Sequence, residues 1–81
     1  MPLLPFTPRP RPSVVDDMEK LKTINGRSRW RDEDGFIYEY DGSHGGELEK
    51  YDKRGYHRGV VDVVTGEVIK KPVRGRRITD V

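Results

Sequence analysis

The sequence predicts an α+β domain, mainly β, in which a short N-terminal helix packs on a small, twisted antiparallel sheet. Three observations predict it. Val14, Met18 and Leu21 recur at i, i+4 and i+7, the spacing of one helical face. From Gly35 onward the apolar pattern changes to period two, in "GFIYEYD", "GELEKYD", "YHRGVVDV", "GEVIKK" and "RRITDV", runs rich in β-branched and aromatic residues. Glycine-bearing turns separate those runs, as an antiparallel meander requires.

Five of the six prolines fall in "MPLLPFTPRPRP". Their fixed φ angles and missing amide donors favour an extended, polyproline-like segment, so residues 1–12 read as a linker, with an SH3-type ligand as the rival. The domain proper is then 13–81. Ser13 can cap the helix, with Asp16 and Asp17 in its first turn and Lys20 and Lys22 in its last, matching the helix dipole. Asn25 and Gly26 end it. The "KRG" spacer and the "VTG" turn suit tight hairpins between the later strands.

With 81 residues, 32% hydrophobic and 37% charged, the chain has one small domain's worth of core and no room for a large enclosed site. It has no cysteine, which removes disulfides, thiolate metal sites and cysteine nucleophiles. No apolar run approaches a membrane span, and "MPLLPF" lacks the features of a signal peptide, so the chain reads as soluble. A net charge of +2 is too small for bulk attraction to nucleic acid, but the charges are unevenly placed. Arg27, Arg29 and Arg31 form one basic cluster and Lys70, Lys71, Arg74, Arg76 and Arg77 another, around an acidic centre. "YDGSHGG" and "YDKRG" also form a loose repeat, of the kind found in hairpin arrays of secreted shells.

The chemistry concentrates in "YEYDGSHGGELEKY". Alternate strand residues share a face, so Glu47 and Glu49 project together while Leu48 points away. The loop 42–46 returns His44 over the start of the next strand, and Asp41, His44, Glu47 and Glu49 can converge. Neighbouring carboxylates and an imidazole permit proton transfer, and with a cation they can cleave an RNA phosphodiester without metal. A divalent-metal site is the chemical rival. It lacks a second histidine at a metal-binding spacing, since His57 lies one strand away, so no metal or cofactor is expected. A non-catalytic RNA- or protein-binding module using Arg74, Arg76 and Arg77 is the alternative from another class.

Those residues carry a resemblance. "IYEYDGSHGGELEKY" resembles the central motif of the C-terminal ribonuclease domain of the ribosome-inactivating colicins and cloacin: an aromatic pair, an Asp, two residues, a His and then Gly-Glu-Leu-Glu. "GYHRGVVDVVTG", "KKPVRGRRI" and "SRWRDEDG" resemble its flanking segments, so the likeness spans about 27–78. It implies a short helix against a highly twisted antiparallel sheet, and a single cut in small-subunit (16S) ribosomal RNA at the decoding site. By resemblance Glu49 is the general base on the 2'-OH, His44 the general acid, Asp41 its support, Glu47 a further site carboxylate and Arg76 the cation for the phosphorane. His57 is a secondary site residue, and Arg74, Arg77, Lys70, Lys71 and Tyr40 are RNA-binding candidates. The resemblance also implies the ribosome as substrate and a cognate acidic immunity protein as inhibitor. It further implies delivery into the target-cell cytoplasm as the tip of a larger bacteriocin or contact-dependent inhibition toxin. The chain departs from the pattern in three places. Gly45 and Gly46 stand where the family has one glycine, Tyr40 replaces a tryptophan, and "ITDV" is a less basic terminus.

Overall fold

The computed structural model describes residues 6–80, apart from the side chain of His44. The first five residues of the expected linker thus lie outside the described residues. Six strands follow one another in the sheet in chain order, every neighbour antiparallel: β1 (Glu19–Lys20), β2 (Arg29–Arg31), β3 (Ile37–Asp41), β4 (Glu47–Tyr51), β5 (His57–Val61) and β6 (Val68–Lys70). The meander is the one expected from period two, extended at its start by two strands that the sequence did not announce.

Two of the hairpins close by the same local device. In "DEDGF" and "DKRGY" the aspartate Oδ1 accepts the backbone N–H groups two and four residues on, at 3.0 and 3.0 Å for Asp32 and at 3.0 and 2.9 Å for Asp52. Each is a three-residue loop whose last position, Gly35 or Gly55, has a positive φ of 89° or 93°, the geometry that favours glycine there. At Gly55 a side chain is excluded twice over, because a Cβ would also overlap the carbonyl of Ile78, which crosses it.

The expected helix over 13–22 does not form. Ser13 and Asp16 do make the start of one: Asp16 Oδ2 accepts the Ser13 N–H at 2.8 Å, and the Asp16 N–H reaches the Ser13 carbonyl at 3.2 Å. Only tight turns result, and Glu19 then enters the sheet opposite Arg31. A single turn is a poor helix nucleus, the more so with two adjacent valines. Here the competing partners are better. The Val14 N–H goes to the Val63 carbonyl at 2.9 Å, and Val15, at 0% exposure, is sealed in the core. Among the described residues the only helical element is a 3-10 turn at Gly42–His44, so the fold is mainly β.

The two faces of the sheet differ. Trp30, Tyr38, Tyr40, Leu48 and Val61 form the core on one face with Val15, covered by the incoming N-terminal segment. Arg9 lies over the Trp30 ring at 5.2 Å from its centre. On the other face stand Arg29, Glu39, Asp41, Glu47, Glu49 and Tyr51, and residues 73–80 cross it. That crossing is held by the Val73 N–H on His57, an antiparallel bridge between Tyr56 and Arg77, and Asp80 on Arg29. The expected strand in "RRITDV" is this crossing segment and not a seventh member of the sheet.

Leu48 is fully buried in the middle of the core. Truncating it should cost about 2–5 kcal/mol, a large part of what a domain of this size holds in reserve. The expected outcome for Leu48→Ala is a urea midpoint displaced far toward zero, measured by tryptophan fluorescence of Trp30.

Candidate active site

The β3–β4 hairpin sets the site by register. Asp41 lies opposite Glu47 and Glu39 opposite Glu49, while Tyr40 faces Leu48 on the other side. Four carboxylates therefore occupy adjacent positions on one face. Like charges directly opposite repel, by about 3 kcal/mol for a pair about 5 Å apart at an effective dielectric of about 20. The hairpin is tenable because cations arrive from three other segments. From the β2 side, Arg29 Nε reaches Glu39 Oε2 at 2.9 Å, and Arg27 spans Glu39 Oε1 at 3.2 Å and Asp41 Oδ2 at 3.4 Å. Lys70 of β6 pairs with Glu47, and Arg76 of the crossing segment reaches Glu49 Oε1 at 3.2 Å.

His57 completes the set. Its Nδ1 accepts the backbone N–H of Val73 at 2.8 Å, so the ring proton sits on Nε2, which donates to Glu49 Oε1 at 2.7 Å. The ring is buried and packs edge-on against Tyr51, 5.3 Å between centres. Glu49 is thus oriented by an imidazole of fixed tautomer and flanked by a guanidinium. Burial raises the Tyr51 phenol above its ordinary pKa, against the opposing pull of Arg76, so the ring stays neutral beside them. A shallow cleft of about 330 Å³ opens here, with Arg27, Arg29, Glu39, Tyr51 and Arg76 in its wall. Among the described residues no group of three or more His, Asp or Glu is disposed to hold a metal ion.

The chain matches the family model described as Cytotoxic over residues 9–79. It belongs to the Cytotoxic family, the ribonuclease domain of colicin- and cloacin-type toxins. No curated protein sequence matches it. Among the described residues no helix is long and apolar enough to cross a membrane.

Within this Cytotoxic domain the expected site residues fall into three groups. Asp41, Glu47, Glu49, His57, Arg76 and Lys70 come together around the hairpin. The His44 side chain lies outside the described residues. Its backbone belongs to the 3-10 turn, which Asp41 caps by accepting the Ser43 N–H at 3.2 Å and the Ser43 hydroxyl at 2.7 Å. Lys71 and Arg74 are exposed beyond the site. Arg77 lies over the Tyr56 ring at 4.9 Å, and Tyr40 is buried on the opposite face of the sheet.

Glu39, Tyr51 and Asp80 join the site without having been singled out, and Arg27 and Arg29 enter it from the basic cluster. The alternation that paired Glu47 with Glu49 extends to Glu39 and Asp41, and Arg27 and Arg29 share the same period, so part of this was available from spacing. Asp80 was not. Its Oδ1 accepts from Arg29 Nη1 at 2.9 Å. Burial tends to lower the Arg29 pKa, but the hydrogen bonds to Asp80 and Glu39 outweigh it and leave the guanidinium above its ordinary value.

The hydrogen bond from Arg29 holds the Asp80 carboxyl below its ordinary value of 3.8. The folded state thus binds fewer protons at Asp80 than the unfolded chain, and stability from this tie rises with pH across that interval. It is fully present above about pH 5 and is lost as the pH falls through the lowered folded value. Wild type should therefore exceed Asp80→Asn in urea midpoint by a constant margin from neutrality down to about pH 5, and the margin should close in stronger acid.

Proposed function

We propose that this domain is a metal-independent endoribonuclease that cuts small-subunit ribosomal RNA at the decoding site and so stops translation. The observation that carries the reading is the grouping on Glu49, with the His57 Nε2–H and the Arg76 guanidinium both on Oε1. A base for the 2'-OH and a cation for the phosphate stand side by side.

Glu49 takes the proton of the 2'-OH, on Oε2, the oxygen that His57 and Arg76 do not engage. The 2'-oxygen attacks the adjacent phosphorus, and the phosphorane collapses with departure of the 5'-oxygen, which takes a proton from His44. The products are a 2',3'-cyclic phosphate and a 5'-hydroxyl, with no water or metal consumed. Arg76, 41% exposed, is free to turn from Glu49 to the non-bridging phosphate oxygens, where preorganised charge stabilises the phosphorane. That turn also uncovers the buried carboxylate. Asp41 supports the turn that bears His44, and Glu47 with Lys70 borders the site. Arg27 and Arg29 line the cleft beside Glu49 and can hold the neighbouring backbone phosphate. His57 acts through Glu49, holding its carboxylate in one orientation.

Ribosomal RNA supplies the polyanion that such a cleft fits, and the family supplies the setting. The domain would be the toxic part of a bacteriocin or contact-dependent inhibition protein, delivered to the target cytoplasm and neutralised in the producer by an acidic immunity protein. Charge complementarity with the basic border would speed that capture.

The test is incubation with intact bacterial ribosomes in EDTA, with the extracted RNA run on a gel. One short fragment of small-subunit RNA is expected, and its appearance should slow by about 100-fold or more in Glu49→Gln and in His44→Ala, both folded. Absence of any fragment with folded wild type turns the reading toward an RNA-binding module. A fragment lost only with EDTA reassigns the carboxylates to metal binding.

A further inference from the structure

The face opposite the site holds a contact that the nuclease reading leaves unexplained. Tyr40 is buried among core residues, yet its hydroxyl points out of the core and donates to the Thr7 carbonyl at 2.7 Å. The Thr7 N–H in turn donates to the Gly42 carbonyl at 3.0 Å, at the first residue of the turn that bears His44. Phe6 packs edge-on against Tyr40, 6.1 Å between centres, and rests so closely on Gly42 that a Cβ there would overlap its ring. The other end of the loop is held by the same group. A Cβ on Gly46 would stand 2.8 Å from the Tyr40 hydroxyl and 3.4 Å from Thr7 Cγ2.

The segment that makes these contacts is itself anchored. Arg9 Nη1 bonds Ser13 Oγ at 2.6 Å and Asp16 Oδ1 at 2.5 Å while its guanidinium lies over Trp30. Residues 6–9 therefore run from a fixed point on the core to both ends of the loop 42–46. Phe6 remains 62% exposed, so its burial contributes little to global stability. Its contacts fall on the turn and on the Tyr40 ring that supports it.

We propose that Phe6, Thr7 and Tyr40 form a clamp that positions the His44 turn for proton transfer, a claim that rests on the nuclease reading above. Asp41 caps the first turn of this five-residue loop, but glycine at 42, 45 and 46 leaves its backbone few restraints beyond that cap. A displacement of about 1 Å of an acid from its leaving oxygen is enough to slow a reaction by up to about 100-fold. The clamp supplies the restraint through one backbone hydrogen bond at Gly42 and packing at both ends. Phe6, Thr7 and Tyr40 touch no reacting atom, and so are positioning residues.

The experiment compares wild type with Phe6→Ala, Phe6→Leu and Tyr40→Phe in the intact chain. Single-turnover cleavage of ribosomes is measured together with the amide NMR signals of Gly42, Gly45 and Gly46. Phe6→Ala and Tyr40→Phe should lower the rate at saturating ribosomes about tenfold with half-saturation unchanged, and should move the three glycine signals while those of β4 and β5 stay in place. Phe6→Leu, which keeps an apolar side chain against Gly42, should restore most of the rate. Unmoved glycine signals, or moved signals with an unchanged rate, would overturn the clamp. The NMR comparison does not depend on cutting, so a wild-type domain that cuts nothing would sink the nuclease reading separately.

Discussion

Four carboxylates crowd one face of the β3–β4 hairpin, and the surrounding segments are arranged to bring cations to them. Glu39 and Glu49, and Asp41 and Glu47, face each other across the β3–β4 register, and cations from other segments reach all four. The compensating charge comes from Arg27 and Arg29 on one side, Lys70 on the other and Arg76 from above. The buried Arg29–Glu39 pair joins one carboxylate to β2, and removing one partner of such a pair costs about 3–5 kcal/mol because the other is left buried and uncompensated. The polar face is therefore both the candidate site and a structural tie across the sheet.

The crossing of residues 73–80 over that face follows from the same constraint. It brings Arg76 to Glu49, seats the Val73 N–H on His57, and ends at Asp80 on Arg29, so one segment touches β5, β4 and β2 in turn. His57 acquires a physical role that its spacing does not reveal. A ring whose Nδ1 is occupied by a backbone donor presents a proton at Nε2, and that proton orients Glu49. His57 and Arg76, which touch Glu49, are thus each held by a contact distant in the chain, which is the usual way a small, open site gains order without an enclosing core.

The two faces of the sheet are linked through the loop 42–46. Its carboxylate side carries the candidate site, and its other side is braced by Tyr40, Thr7 and Phe6. Glycines at positions 42 and 46 let the backbone pass against these neighbours, at the expense of restraint that packing must then restore. A domain with so little apolar material keeps its order where hydrogen bonds and ion pairs meet, and the candidate site lies among them.

What is local and periodic was legible in the sequence. Strands β3 to β6, the glycine turns between them and the shared face of Asp41, Glu47 and Glu49 follow from period-two alternation and from the left-handed backbone that glycine accepts. The rest depends on contacts between distant segments. A helical spacing of Val14, Met18 and Leu21 lost to a sheet that offered Val15 burial and Glu19–Lys20 a partner strand, because one turn of helix cannot outweigh long-range pairing. Arg29 with Asp80, His57 with Val73 and Tyr40 with Thr7 lie 51, 16 and 33 residues apart. No local pattern encodes such pairs. They exist only once the sheet has brought distant segments within hydrogen-bond reach of one another.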